Sequence, residues 1–193
     1  MKALCEEIGI SFPTAKRQYE KLMIKLGITE QEYLIPTEEE QTMNLNTTTS
    51  RASEIIKNRL IAAGGKATVH SINGKAYEIF AGKDGKSFSC EALPITPPYT
   101  YDVFDVIVNL LISKGGRADK GNGRNYRLGE PQCSESTVVG CVAKYYMGQH
   151  DGESIYDPVF VLSSVLDWAG IARNCRGYIE LTPEYTRLLK SDR

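Results

Sequence analysis

A helical pattern stopped by paired glycines occurs twice in this chain. Leu60-Ile61-Ala62-Ala63-Gly64-Gly65-Lys66-Ala67, followed by Asn73-Gly74-Lys75-Ala76-Tyr77, is matched in order by Leu111-Ile112-Ser113-Lys114-Gly115-Gly116-Arg117-Ala118, followed by Asn122-Gly123-Arg124-Asn125-Tyr126. Both strings read helix, Gly-Gly-base-Ala, spacer, Asn-Gly-base-x-Tyr. Glycine ends a helix because it enters the left-handed region without a side-chain clash. The chain is therefore confined to short helices that reverse into turns. A duplicated helix-then-hairpin unit would explain the echo, and so would chance recurrence of turn-rich strings; two copies are too few for a stacked solenoid.

The residues between these stops extend the pattern. A helix over residues 51–63 places Ile55, Ile56, Leu60 and Ile61 on one face. Residues 66–72 and 75–80 alternate around Asn73-Gly74, a two-residue hairpin signal, and Lys83-Asp84-Gly85-Lys86 turns the chain into a third strand over 87–92. Pro94, Pro97 and Pro98 then set a boundary, since clustered prolines cannot sit inside a helix or central strand. Beyond it, residues 101–113 form a helix with Val103, Phe104, Ile107, Val108, Leu111 and Ile112 inward, followed by a loop containing Gly121, Gly123 and Gly129. A helix over 134–147 is capped by Ser134. Another over 157–169 has Asp157 as N-cap, Pro158 in the first helical position and a stripe of Phe160, Val161, Val165, Leu166 and Trp168. An extended pair, 171–174 and 177–181, precedes a last helix from Pro183 capped by Thr182. The expected fold class is α+β and helix-rich.

Charge is balanced overall but not locally. The 193 residues carry 23 Lys plus Arg against 24 Asp plus Glu, a formal charge of −1, so any nucleic-acid footprint must come from clusters. Residues 36–50 hold Glu38, Glu39 and Glu40 with no base and no apolar period, and read as a linker. Lys114, Arg117, Lys120, Arg124 and Arg127 fall close together against only Asp119, interleaved with glycines that let backbone approach phosphates. The alternative for that stretch is a solvated loop. No apolar run reaches the roughly 18 to 20 residues of a membrane span, and Glu6 and Glu7 stand where a signal peptide would be apolar, so the expected compartment is the cytoplasm, with no membrane partner. Five scattered cysteines without a C-x-x-C pair suggest reduced thiols rather than disulfides or a zinc site.

Leu4, Cys5, Ile8, Gly9, Ile10, Ser11, Thr14, Ala15, Tyr19 and Leu22 follow the order of a helix, a glycine turn and a second amphipathic helix. This resembles the helix-turn-helix of bacterial transcription regulators. The resemblance implies that Ser11 caps the second helix, that Pro13 lies in its first turn, and that Thr14, Lys16, Arg17 and Lys21 face DNA. Those domains usually carry a helix ahead of the motif, so closing the core falls to residues 28–34, another module, a partner subunit or residues beyond this sequence. The alternative is a helical hairpin with a solvated basic face.

Residues 159–185 add a second resemblance. An amphipathic helix, then Ile171-Ala172-Arg173-Asn174, Arg176-Gly177-Tyr178-Ile179-Glu180-Leu181 and Thr182-Pro183-Glu184-Tyr185, is similar to the ending of winged-helix domains. It implies that Arg173 and Arg176 are wing residues touching the DNA backbone or minor groove, and that residues 134–147 belong to the helix pair. The alternative is a packed α+β domain whose hairpin joins a partner.

Catalytic patterns are sparse. His150 stands beside Asp151 and Glu153 in a polar turn, the nearest approach to a metal or acid-base set, and reads better as a turn. Cys133 and Cys141 read as structural thiols, and Trp168 as core. The organisation expected is a helix-turn-helix segment over 1–35, a linker over 36–50, a helix with a three-stranded meander over 51–93, and a winged-helix-like domain over 94–193. The expected function is DNA binding in transcription control, of phage or bacterial type, without a cofactor or catalytic residues. Double-stranded DNA is the partner, and a homodimer is one way to raise the affinity of so balanced a chain. Lys and Arg would hold phosphates while an inserted helix reads base edges. The alternatives are an interaction or DNA-recognition subunit of a larger assembly, such as a restriction or defence system, and last a metal-dependent nuclease.

Overall fold

The computed structural model describes residues 50–191. The helix-turn-helix segment, with Thr14, Lys16, Arg17 and Lys21, lies outside the described residues, as does the linker up to residue 49. Among the described residues the fold is α+β: five α-helices and two three-stranded antiparallel sheets. Helix α1 (Ala52–Ala62) leads into β1 (Lys66–His70), β2 (Ala76–Ala81) and β3 (Phe88–Cys90), ordered β1-β2-β3. Helix α2 (Asp102–Ser113) leads into β4 (Arg117–Asp119), then α3 (Val138–Cys141), α4 (Val159–Trp168), β5 (Ala172–Asn174), β6 (Tyr178–Leu181) and α5 (Pro183–Ser191). The second sheet is ordered β4-β6-β5, so its central strand arrives last. No helix among the described residues is long and apolar enough to cross a membrane.

The Gly-Gly stops do the same work in both places. Gly64 and Gly65, like Gly115 and Gly116, have positive φ. The second glycine of each pair donates its N–H back into the helix, Gly65 to Leu60 O and Gly116 to Leu111 O. Each then accepts from an incoming strand, Gly65 O from Ala81 N at 2.8 Å and Gly116 O from Leu181 N at 2.7 Å. The next residue but one is an alanine opposite an isoleucine, Ala67 to Ile79 and Ala118 to Ile179. The second halves of the echo diverge. Asn73-Gly74 lies at a hairpin tip, whereas the Asn122 side-chain oxygen accepts from the Arg124 and Asn125 N–H groups within a loop, and Gly123 is buried.

One hydrophobic core runs from Ala52 to Tyr185 and joins the two sheets, so residues 51–93 and 94–191 share their interior. Phe88 packs against Tyr99, Tyr101 and Phe104 at its centre. Asp105 of α2 fastens the start of α1, accepting from Ser53 N at 2.9 Å, Ser53 Oγ at 2.6 Å and Arg51 Nη2 at 2.8 Å. It supplies from a neighbouring helix what an N-cap residue ordinarily supplies in sequence. Asp105→Ala is expected to lower the unfolding free energy by about 2–3 kcal/mol, because Ser53 N is buried and loses its charged acceptor. A urea titration measures it, and a change under about 0.5 kcal/mol would mean that this cap is not a main fastening. At the other end, Tyr185 OH donates to Ser50 O, and burial raises that hydroxyl to about 12.

Several elements depart from the sequence expectation. Helix α3 begins at Val138, not Ser134. Thr137 is its cap, with Oγ1 accepting from Gly140 N at 3.2 Å, while residues 134–137 form a turn. Its last part, Val142–Tyr146, widens into a π-helical turn, with Met147 N bonded to Val142 O. Asp157 does cap α4 through Val159 N, but the regular helix starts at Val159 after Pro158. Ile61, read as sharing a face with Leu60, and Ile112, read as inward, are exposed: in the last turn before Gly-Gly it is Leu60 and Leu111 that enter the core, and the residue after each points away from it. The short strand β4 has no counterpart in the expected elements. The Asn73-Gly74 turn is not a two-residue type I′ loop either: that loop needs positive φ at both residues, and only Gly74 has it, at 78°. The turn runs from Ser71 to Gly74, with Gly74 N donating to Ser71 O and Ser71 N to Lys75 O.

Candidate nucleic-acid interface

Two hairpin tips face each other across a groove of about 230 Å³. One is the β1–β2 tip, with Ser71, Ile72 and Asn73. The other is the β5–β6 tip, with Asn174, Arg176 and Gly177. Lys120 lines the groove with them, as do Phe160 and Ser163 of α4. No carboxylate is among the lining residues.

Lys120, Arg124 and Lys75 are each held by a separate contact. Lys120, just beyond β4, sends its ammonium under the second tip and donates to Asn174 Oδ1 and Cys175 O, both at 2.6 Å. Burial lowers its pKa, since the charged form loses water. Arg124 lies over the Phe160 ring at 5.5 Å, Phe160 meets Tyr77 with ring centroids 5.8 Å apart, and Lys75 lies over Tyr77 at 5.3 Å. Base, ring, ring and base thus form a ladder at the groove's edge, and the two bases are the matched positions of the sequence echo. Cation–π contact of this kind contributes roughly 0.5–1 kcal/mol at exposed sites, enough to orient a side chain without neutralising it. Arg176 is exposed at the second tip. Beside that hairpin, Arg117 of β4 lies over Tyr178 of β6 at 3.5 Å. A hydrogen bond with the Cys175 thiol is the main reason the Tyr178 hydroxyl titrates above its usual range.

The sequence-predicted bases are thereby sorted. Lys120 and Arg176 line the groove and Arg124 lies over Phe160 at its edge, whereas Arg117 lies over Tyr178, which is not among the lining residues. Arg173 is exposed on β5, opposite Glu180. Arg127 is turned away, donating to Gly152 O at 2.9 Å, while its N–H is held by Glu130. Lys114 stands beside the Gly115–Gly116 turn, outside the groove lining. Reading the sequence missed Lys75, Ser71, Ile72, Asn73, Ser163 and Asn174 as site residues. The echo that aligned Lys75 with Arg124 was the signal that could have found the first of these.

The helices do not offer a reading surface of the expected kind. Residues 138–143 are all buried, and α4 exposes Asp167 alone, with Ser163 and Ser164 buried beside its apolar residues. One side of α4 is covered by the first hairpin, through the Tyr77–Phe160 contact.

The remaining candidates resolve into structural roles. His150 Nδ1 stands 3.8 Å from Glu153 Oε1, and the His150 N–H is held by the same carboxylate. Asp151 pairs with Lys144 at 3.9 Å. No group of three or more metal-ligating side chains occurs among the described residues. Cys133 and Cys141 are buried, and burial raises both thiols, Cys141 to about 11. Trp168 is half-buried beneath Arg59, 4.9 Å from its ring. No family model, curated protein or solved structure matches the chain.

Proposed function

We propose that this protein binds double-stranded DNA as a transcription regulator of phage or bacterial type, seating the sugar-phosphate backbone between its two hairpin tips. The observation that carries this reading is the convergence of Lys75, Lys120, Arg124 and Arg176, from three separate stretches of chain, around a groove lined by no carboxylate. In a chain of net charge −1, such local convergence is what attracts a polyanion. Ser71, Asn73 and Asn174 add neutral donors of the kind that hold phosphates and sugars.

The chain order α2, β4, α3, α4, β5, β6, with sheet order β4-β6-β5, also suits a winged-helix reading, in which α3 and α4 are the helix pair and β5–β6 is the wing. In this reading the covered α4 supports the groove, and contact falls to the wing and the β1–β2 tip.

Binding of a labelled duplex to the whole chain, titrated at two or more salt concentrations, tests the proposal. Four phosphate contacts imply that log K falls against log salt with a slope of about −3.6. Absence of binding above background near 50 mM salt would overturn the reading.

A further inference from the structure

The first hairpin tip carries a feature that phosphate contact does not explain. Ile72 occupies a central turn position and is 49% exposed. Turns of this kind favour Pro, Asn, Asp, Ser and Gly, which suit the backbone or bond to it. A β-branched apolar side chain does neither. Ile72 is also absent from the hydrophobic core and from the side chains packed against it. Its backbone is nevertheless held firmly: Ser71 N donates to Lys75 O, Gly74 N to Ser71 O, and Lys75 N to Ser71 Oγ at 3.1 Å. An apolar side chain is thus presented outward on a tip whose shape is set before any ligand arrives.

Its neighbours suggest what it meets. Asn73 and Lys75 are exposed on the same tip. An amide can bond the acceptor pattern that adenine and thymine present in the minor groove, and a cation favours the strong negative potential of a narrow groove. Asn or Lys beside an apolar wedge is the combination by which minor-groove proteins unstack a base step. Across the groove, Arg176 and Lys120 supply the positive charge that would hold phosphates flanking such a step.

Resting on the DNA-binding reading above, we infer that the Ser71–Lys75 tip is a minor-groove wedge, with Ile72 entering a base step and bending the duplex. The favoured sites are A·T-rich and contain pyrimidine–purine steps, which unstack most readily.

The test uses the full 193-residue chain and a duplex of about 30 base pairs with a fluorophore at each end, comparing an A·T-rich centre containing a TA step with a G·C-rich centre. Energy transfer is expected to report a bend of about 20–90° on the first duplex. Ile72→Ala is expected to remove most of that bend and to weaken binding about tenfold, with the salt slope unchanged because no cation is lost. Ile72→Leu, which keeps an apolar wedge, is expected to retain the bend, and its circular dichroism together with that of the alanine variant checks that both remain folded. Binding that leaves the duplex straight, or an equal bend with Ile72→Ala, would overturn the wedge while leaving the DNA-binding reading in place. Absence of binding to either duplex would overturn both.

Discussion

Gly140→Ala is expected to destabilise the fold by about 3 kcal/mol or more, the upper range for forcing atoms into a packed site. A Cβ at this position would stand 2.1 Å from Ser134 O, 2.4 Å from Ser134 C and 2.6 Å from Cys133 O. These are backbone atoms, so no rotamer change relieves the clash. Nor can the backbone move freely, because Ser134 O already accepts from Thr137 N at 2.9 Å and Thr137 Oγ1 at 2.8 Å, and the same hydroxyl caps Gly140 N. Relief would require the 134–137 turn to leave the helix it caps. In a unit of this size the expected fall in melting temperature is about 10 °C. Gly152→Ala is the control: Gly152 has φ of 90°, but its added Cβ would meet nothing within 4 Å. That variant is expected to lose only about 1 kcal/mol from backbone strain. Equal melting temperatures for the two variants would show that the turn yields, and that close approach at Gly140 does not specify the fold.

Gly140 illustrates how much of this molecule its sequence displays. Helices followed by Gly-Gly, the meander, the final hairpin and the Thr182 cap are legible because a few neighbouring residues determine them; Thr182 Oγ1 accepts from Tyr185 N as a capping residue should. The close approach of Ser134 to Gly140 is not legible, since a glycine inside an apolar helical run signals nothing about what lies against it. Strand β4 was hidden for a related reason. Arg117-Ala118-Asp119 has no alternating apolar pattern of useful length, and its partner β6 lies about sixty residues downstream. Helix α4 blurred its own stripe by being buried nearly all round. The groove followed the same logic. Lys114 to Arg127 is dense in sequence, yet the fold turns Arg127 onto Gly152 O, while Lys75, distant in sequence, aligns with Arg124 across two tilted rings.

That contrast between sequence density and spatial convergence gives the largest functional effect expected. Replacing Lys75, Arg124 and Arg176 together by Gln is expected to weaken duplex binding by on the order of 10³. A charge-assisted hydrogen bond contributes roughly 1.5–3 kcal/mol, and 1.4 kcal/mol is a factor of ten in affinity. The salt slope should become shallower by about 2.7, or 0.9 for each phosphate contact removed. All three side chains are exposed, so the fold should tolerate their loss. Lys120 is left in place because its ammonium fastens Asn174 and Cys175, and removing it would confound charge with the shape of the second tip. The matched control replaces Lys114 and Arg127 by Gln, two members of the densest sequence cluster that stand away from the groove. It is expected to leave the salt slope nearly unchanged. If the control variant loses as much slope as the triple variant, phosphate contact follows the charged loop rather than the groove, and the two hairpin tips are not the binding surface.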